Sequence, residues 1–215
     1  MTMHLLSIQV GKPARYESDA GPWRTAIFKH QVAEPVRVHA LGLEGDAVAD
    51  TRHHGGPHQA LLMYSADHYP RWQAEWGGEL LPGGAFGENL TVVGIDESTA
   101  CVGDRYEIGD VLLEVTKPRS PCTTLAWRHG RLDLVQIVER NHRSGWYLRV
   151  LVEGTIKAGM AIRLAARPHP EFPVAWVAEV MKHRQDRPED AAALAACEAL
   201  CPEWRRRLAG VRRLA

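Results

Sequence analysis

The 215-residue sequence predicts a mainly β protein with added helices, ending in a small three-helix domain. Up to about residue 165, glycine and proline separate short segments that are rich in β-branched residues, a pattern typical of strands joined by turns. After a proline-rich break at residues 168–173, alanine, glutamate, arginine and leucine predominate, which favours helices. We therefore expect two domains, residues 1–167 and residues 168–215.

Seven segments of the first domain are expected to form strands, because each places β-branched residues between turn residues. In chain order they are LLSIQV (5–10), AIFKHQV (26–32), RVHALGL (37–43), LTVVGI (90–95), DRYEIG (104–109), VLLEVT (111–116) and AIRLAA (161–166).

Five segments are expected to be helical. In two of them apolar residues recur at near-helical spacing, and the other three are rich in strong helix formers. Pro188 and Pro202 fit the first turns of two helices, since proline lacks only a donor that is unpaired there. The segments are residues 58–77, residues 131–145 with a stop at Gly145, and residues 174–184, 188–200 and 202–214.

Charge and composition exclude several classes of protein. Lys plus Arg and Asp plus Glu each total 26, so no overall field favours nucleic acid or anionic membranes. The first residues lack a leader pattern and no apolar run reaches about 18 residues, so we expect a cytoplasmic protein that does not enter a membrane. Four cysteines are too few and too irregularly spaced for a disulfide framework, which predicts reduced thiols.

Cys122 follows a strand in the segment VLLEVTKPRSPCTTL. Pro118 and Pro121 each fix a backbone angle and remove a donor, so this thiol is expected on a stiff turn. Arg119 and Lys117 would favour the thiolate, the form that binds soft metals. The local sequence leaves a second interpretation open, since a single cysteine is more often a small buried residue.

Three glycine-punctuated segments lack helical or strand periodicity and are expected to shape a site: GLEGD (42–46), HHGGPHQAL (53–61) and FGENL (86–90). Gly55 and Gly56 allow backbone amides to approach an anion, and His53, His54 and Arg52 supply donors nearby. For any one of these loops taken alone, a set of tight turns is the favoured interpretation.

The ordered set GLEGD, HGGP, FGENL, a GD pair at 103–104 and PRSPC resembles the MOSC domain family, in particular its YiiM-like branch. The resemblance extends from about residue 5 to the end. It implies a MOSC-type β-barrel with peripheral helices, followed by the three-helix domain, and a bound molybdenum-molybdopterin cofactor. It implies that Cys122 is both the metal ligand and the catalytic residue. Near the cofactor it places Arg119, His54, Gly55 and Gly56, with Asp46, Glu88 and Asn89 shaping the pocket.

The same resemblance implies an oxidoreductase that reduces N-hydroxylated compounds, such as hydroxylaminopurine-type bases. We find no flavin or nicotinamide motif, so the electrons are expected from a separate flavin- or haem-containing donor. Two other functions stay open: a carrier or store of the cofactor, and a sulfur carrier through a Cys122 persulfide. His58, Lys117 and Met160 depart from the pattern of the branch, which affects substrate preference more than the metal ligand.

Other signals are given structural interpretations. His54 and His58 are four positions apart, but the Gly-Gly-Pro between them is incompatible with a helical zinc site. Cys197 and Cys201 are expected to be buried, and Cys101 to be structural. The basic C-terminal segment could meet an acidic electron donor or nucleic acid, although a solvated helix face is the commoner case.

Overall fold

The computed structural model describes residues 2–17 and 21–211. In these ranges the strands are β1 His4–Val10, β2 Ala14–Tyr16, β3 Trp23–Thr25, β4 His30–Val32, β5 Val36–His39, β6 Gly42–Leu43, β7 Leu61–Ser65, β8 Leu90–Val93, β9 Arg105–Ile108, β10 Val111–Pro118, β11 Trp146–Val152, β12 Gly154–Ile156 and β13 Arg163–Ala166. The α-helices are α1 His68–Trp76, α2 Thr123–His129, α3 Leu134–Asn141, α4 Val174–Lys182, α5 Pro188–Ala196 and α6 Pro202–Ala209. The predicted class, mainly β with helices, is confirmed.

One mixed sheet of eight strands forms the framework, in the order β13-β9-β10-β11-β7-β8-β1-β4. Its neighbours are antiparallel except β7 and β8, which are parallel. The sheet curls into a half-barrel, so that the start of β1 meets the segment just before β13. There the Leu5 amide donates to the Met160 carbonyl (2.9 Å), and the Ile162 amide donates to the Met3 carbonyl (3.0 Å). The predicted barrel architecture is therefore present.

The three predicted C-terminal helices are confirmed as α4, α5 and α6, and Pro188 and Pro202 occupy the first helical positions as expected. The helices pack on the barrel, and their buried side chains belong to the same hydrophobic cluster as those of the sheet. Backbone hydrogen bonds join the two parts, from Val174 to the Ala100 carbonyl (2.8 Å) and from Cys201 to the Thr116 carbonyl (3.1 Å). The boundary between residues 167 and 168 stays a prediction.

The prediction of a helix over residues 58–77 is wrong in its first half. Residues Leu61–Ser65 form β7, and the helix begins only at His68. Because β7 lies between β11 and β8 and all five of its residues are buried, its sequence shows no polar alternation. A short continuous apolar run does not distinguish a buried strand from a helix.

Several other boundaries also differ from prediction. The segment 26–32 is a strand only over His30–Val32, and the segment 37–43 divides into β5 and β6. Helix α3 ends where His142 adopts a left-handed conformation (φ 58°), before Gly145. The last helix ends at Ala209, and the rest of the predicted segment reaches residues 212–214, outside the described range. In the described ranges no helix has the length and apolar character needed to cross a membrane.

Candidate functional site

A cavity of about 610 Å³ lies beside the turn that carries Cys122. The three glycine-rich loops expected to shape a site contribute to its wall, although they are far apart in the sequence. Of the predicted site residues, the ones lining it are Cys122, Arg119, His54, Gly55, Gly56, Asp46 and Asn89. The structure thus brings together, in one cavity, seven residues that were singled out from separate motifs.

Cys122 is presented by the turn between β10 and α2. It is extended (φ −133°, ψ 165°) and directly precedes the helix, where its carbonyl accepts from the Leu125 amide (3.0 Å). It is partly exposed, whereas the other three cysteines are buried, as predicted for Cys197 and Cys201. Burial raises the pKa of Cys101, Cys197 and Cys201, which keeps them as protonated thiols. Cys122 is therefore the cysteine best placed to meet a ligand.

Arg119 brings a buried positive charge to the same wall. The residue is only 5% exposed, and its Nη1 has no hydrogen-bond partner among the described residues. Its backbone is fixed because its amide donates to the Gly145 carbonyl (3.0 Å). Burial raises the pKa of the neighbouring Tyr147, while the Arg119 charge acts in the opposite direction. A buried guanidinium with an unused donor is suited to an anionic ligand.

The His54–Gly56 loop forms another part of the wall. Gly55 (φ 76°) and Gly56 (φ 80°) both lie in the left-handed region, which glycine adopts without strain. A Cβ at Gly56 would meet no atom within 4 Å, so this backbone is open on the side where a side chain would stand. Burial, followed by the charge of Arg119, lowers the pKa of His54, which favours a neutral imidazole at pH 7.

A buried ion pair between Lys29 and Asp46 lines the cavity, with side chains 7% and 8% exposed. Asp46 also accepts from the Gly11 amide (2.8 Å) and from Asn89 Nδ2 (2.8 Å), while Asn89 Oδ1 accepts from the Leu62 amide (3.1 Å). Burial lowers the pKa of Lys29, although Asp46 opposes this shift. Asp46 and Asn89 therefore join the ends of several segments around the site.

Sequence reasoning did not identify Lys29 or Tyr147 as site residues. Lys29 lies within a segment predicted to be a continuous strand, where a lysine would ordinarily face solvent. Neither Lys29 nor Tyr147 belongs to one of the motifs that indicated a site.

Glu88 lies behind the cavity wall and is fully buried. Its carboxylate accepts from the amides of Gly84 (2.7 Å) and Phe86 (3.0 Å) and from the Thr91 hydroxyl (2.9 Å). It also accepts from the Tyr69 hydroxyl, and burial together with Glu88 raises the pKa of that phenol. Glu88 supports the loop that carries Asn89, and it does not itself face the cavity.

Lys117 and His58, two of the departures from the branch pattern, lie outside the cavity wall. Lys117 Nζ is 5.4 Å from the centre of the Tyr147 ring, 5.7 Å from that of Trp204 and 4.0 Å from the Glu203 carboxylate. The His58 carbonyl accepts from the Thr116 hydroxyl (2.7 Å).

Among the residues that the structure describes, no group of three or more His, Cys, Asp or Glu side chains could hold a metal ion.

Comparison with known proteins gives a consistent result. Residues 50–163 match the MOSC domain. The chain is 35% identical over 207 residues to the uncharacterized protein YflK of Bacillus subtilis, covering 94% of this chain and 90% of that protein. It is 39% identical over 183 residues to a protein of Gibberella moniliformis named reductase, covering 84% of this chain but only 32% of that protein. The crystal structure of YiiM from Geobacillus stearothermophilus superposes with a TM-score of 0.81 at 31% identity, over 96% of this chain and 97% of that one.

Proposed function

The chain belongs to the MOSC domain family, and from this premise we propose that it binds a molybdenum-molybdopterin cofactor through Cys122 and reduces N-hydroxylated compounds. One observation supports this most directly. The partly exposed thiol of Cys122 and the buried guanidinium of Arg119, with its unused Nη1 donor, line the same cavity.

The residues of the cavity fit the chemistry of this cofactor. Molybdenum accepts soft sulfur ligands, which Cys122 can provide. The cofactor carries a phosphate, for which Arg119 supplies a fork of charged donors and the Gly56 backbone an open approach. When bound, the cofactor would supply the two-electron redox change.

In the proposed reaction the N–O bond of an N-hydroxylated substrate breaks. Two electrons from a separate flavin- or haem-containing donor and two protons are consumed, giving the amine and water. The chain holds the reacting groups in place through Cys122 and Arg119. His54 can hydrogen-bond a substrate through its neutral imidazole, and the Lys29 ammonium can donate to the departing oxygen from its position beside Asp46.

The first test measures molybdenum and pterin in protein made by a host that synthesises the cofactor. The wild type and Cys101→Ala, a matched change of a buried cysteine outside the cavity, should both retain molybdenum, and Cys122→Ala should lose it. Arg119→Gln should lower the pterin content because the phosphate loses its charged partner. Full molybdenum retention by Cys122→Ala would overturn the ligand assignment.

The second test separates turnover from storage. Loaded protein is reduced chemically and mixed with a hydroxylaminopurine. Reoxidation that depends on the substrate supports the reductase, whereas stable loading without reoxidation indicates a carrier. A sulfur carrier would be indicated instead by two results together: Cys122 gains one sulfur atom after incubation with a cysteine desulfurase, and protein from the cofactor-synthesising host contains no molybdenum.

A further inference from the structure

Two indole rings form an exposed edge of the cavity, Trp23 from β3 and Trp127 from α2, and we call this pair the aromatic mouth. The ring centres are 5.4 Å apart and the planes meet at 79°, an edge-to-face arrangement. Trp127 is 39% exposed, and the exposed side chains of Leu41 and Val48 line the same cavity. Apolar surface that borders a cavity with charged residues is typical of a ligand-binding site.

The aromatic mouth is held in place by its surroundings. Phe28 lies 6.0 Å from the Trp23 ring and 4.2 Å from that of Tyr16. The guanidinium of Arg128, the residue next to Trp127, lies 5.2 Å from the Phe28 ring and donates to the Gly84 carbonyl (2.6 Å). These contacts fix α2 against the segment that carries Trp23, so a ligand would meet a preformed surface.

Trp23 also has an unused donor. Its Nε1 is buried and has no hydrogen-bond partner among the described residues, although Trp23 itself lines the cavity. Buried indole N–H groups usually have an acceptor. A bound ligand with an acceptor atom next to this N–H would provide one.

Helix geometry relates Trp127 to the proposed metal ligand. Thr124 and Trp127 are three positions apart on α2 and both line the cavity, so one face of the helix is turned toward it. Cys122 directly precedes the helix, five positions before Trp127, which corresponds to about 7.5 Å along its axis. A flat ring placed against Trp127 therefore lies close enough for a substituent to extend toward Cys122.

We propose that the aromatic mouth binds a planar nitrogen heterocycle, which stacks on Trp127 and accepts a hydrogen bond from the Trp23 indole. This assignment rests on the proposed function, since it names ring-binding residues of that same site. A substrate base and the pterin of the cofactor share this chemistry, because both are flat and carry ring nitrogens. A ring-free hydroxylamine does not share it, so the pair would discriminate between these substrates.

The experiment uses the full chain in cofactor-free and cofactor-loaded forms. Calorimetric titrations with a hydroxylaminopurine and with N-methylhydroxylamine give the Kd values, and the pterin content of the loaded form is measured in parallel. The variants are Trp127→Ala, Trp127→Phe and Trp23→Phe. The change at Trp23 keeps an aromatic ring but removes the indole N–H. Trp176→Ala, on α4 and outside the cavity, is the matched control.

Trp127→Ala should raise the Kd for the purine on the order of tenfold or more, and Trp127→Phe should raise it less, because an aromatic face remains. Trp23→Phe should raise it severalfold, while Trp176→Ala and binding of N-methylhydroxylamine should not change. Lower purine affinity with unchanged pterin content identifies the substrate base as the occupant, and lower pterin content identifies the cofactor.

The proposal would be overturned if Trp127→Ala kept both its purine affinity, in the cofactor-free and cofactor-loaded forms, and its pterin content. It would also be overturned if the wild type bound no purine and Trp127→Ala kept its pterin content. Equal losses of affinity for purine and N-methylhydroxylamine would also overturn it. These outcomes are separate from a failure of the proposed function, which would be seen as molybdenum retained in Cys122→Ala.

Discussion

His68 Nε2 lies 2.6 Å from the Glu97 carboxylate, and both side chains are almost fully buried. The other oxygen of Glu97 accepts from the Gly145 amide (2.6 Å), and the Gly145 carbonyl accepts from the Arg119 amide (3.0 Å). This series of hydrogen bonds joins helix α1 to the turn that carries Cys122, so a polar contact remote from the cavity helps to fix the position of the proposed ligand.

Glu97→Ala is expected to destabilise the protein by about 3–5 kcal/mol, because it leaves His68 and the Gly145 amide buried without their acceptor. Urea unfolding followed by tryptophan fluorescence measures this free energy. Arg163→Ala, which breaks an exposed ion pair with Glu107, should cost less than about 1 kcal/mol. Equal losses of unfolding free energy in the two variants would show that the buried pair stabilises the protein no more than the exposed one.

Gly145→Ala should be more damaging than its backbone angle alone predicts. Gly145 has φ 78°, and a Cβ there would stand 2.4 Å from the Met63 carbonyl, so β7 or the turn must move. Gly130→Ala is the matched control, since Gly130 has φ 61° and open space, and should cost about 1–2 kcal/mol. The comparison of unfolding free energies tests the close approach, which similar losses for both variants would contradict.

Acid should weaken the fold partly through His129. Burial lowers the pKa of His129 from its ordinary 6.5 to about 4, although its contact with the Ala85 carbonyl acts in the opposite direction. Well above pH 6.5 the imidazole is neutral in both states. Between pH 6.5 and 4 the unfolded chain binds the proton first, so stability falls as pH falls, by roughly 3 kcal/mol at most for this group.

His129→Gln should therefore lose less stability than the wild type between pH 6.5 and 4, as measured by urea unfolding at a series of pH values. His183→Gln, a change of an exposed histidine just after α4, should leave the pH dependence unaltered. If the unfolding free energy of His129→Gln fell with pH as steeply as that of the wild type, other groups would account for the acid sensitivity.

The Lys29–Asp46 pair should show strong coupling. Lys29→Met leaves the Asp46 carboxylate buried without its cation and should cost about 3–5 kcal/mol. Adding Asp46→Asn to that variant removes the remaining charge and should recover part of the loss. A double-mutant cycle of unfolding free energies measures the coupling, and strictly additive single effects would refute it.

The barrel strands with clean alternation were predictable from sequence, as β5 shows: Val36 and Val38 are buried while Arg37 and His39 are exposed. The central strand β7 was not, because burial on both faces removes the alternation on which prediction depends. The missed strand β11 starts immediately after the predicted stop at Gly145. Its role became visible only through pairing with β10 and β7.

The cavity wall was predictable as far as its motifs reached. Cys122, Arg119 and the His54–Gly56 loop lie in local patterns that limit their backbone, and they meet in one cavity. Lys29 lies in a segment predicted to be a strand and Trp127 in a helix, α2, that was not predicted, so only the tertiary structure turns them toward it. Glu88 belongs to a recognisable loop motif, yet the loop folds with this carboxylate inward to satisfy its own amides.

The contact of β1 with residues 160–162 has a consequence for biosynthesis. During synthesis β1 is translated long before residues 160–162, with which its start is paired. Until then the Leu5 amide and the Met3 and Leu5 carbonyls lack their partners and are available to other chains. Closure of the sheet at this point is therefore a late step of folding, and a chaperone that shields β1 until then would raise the yield of folded protein.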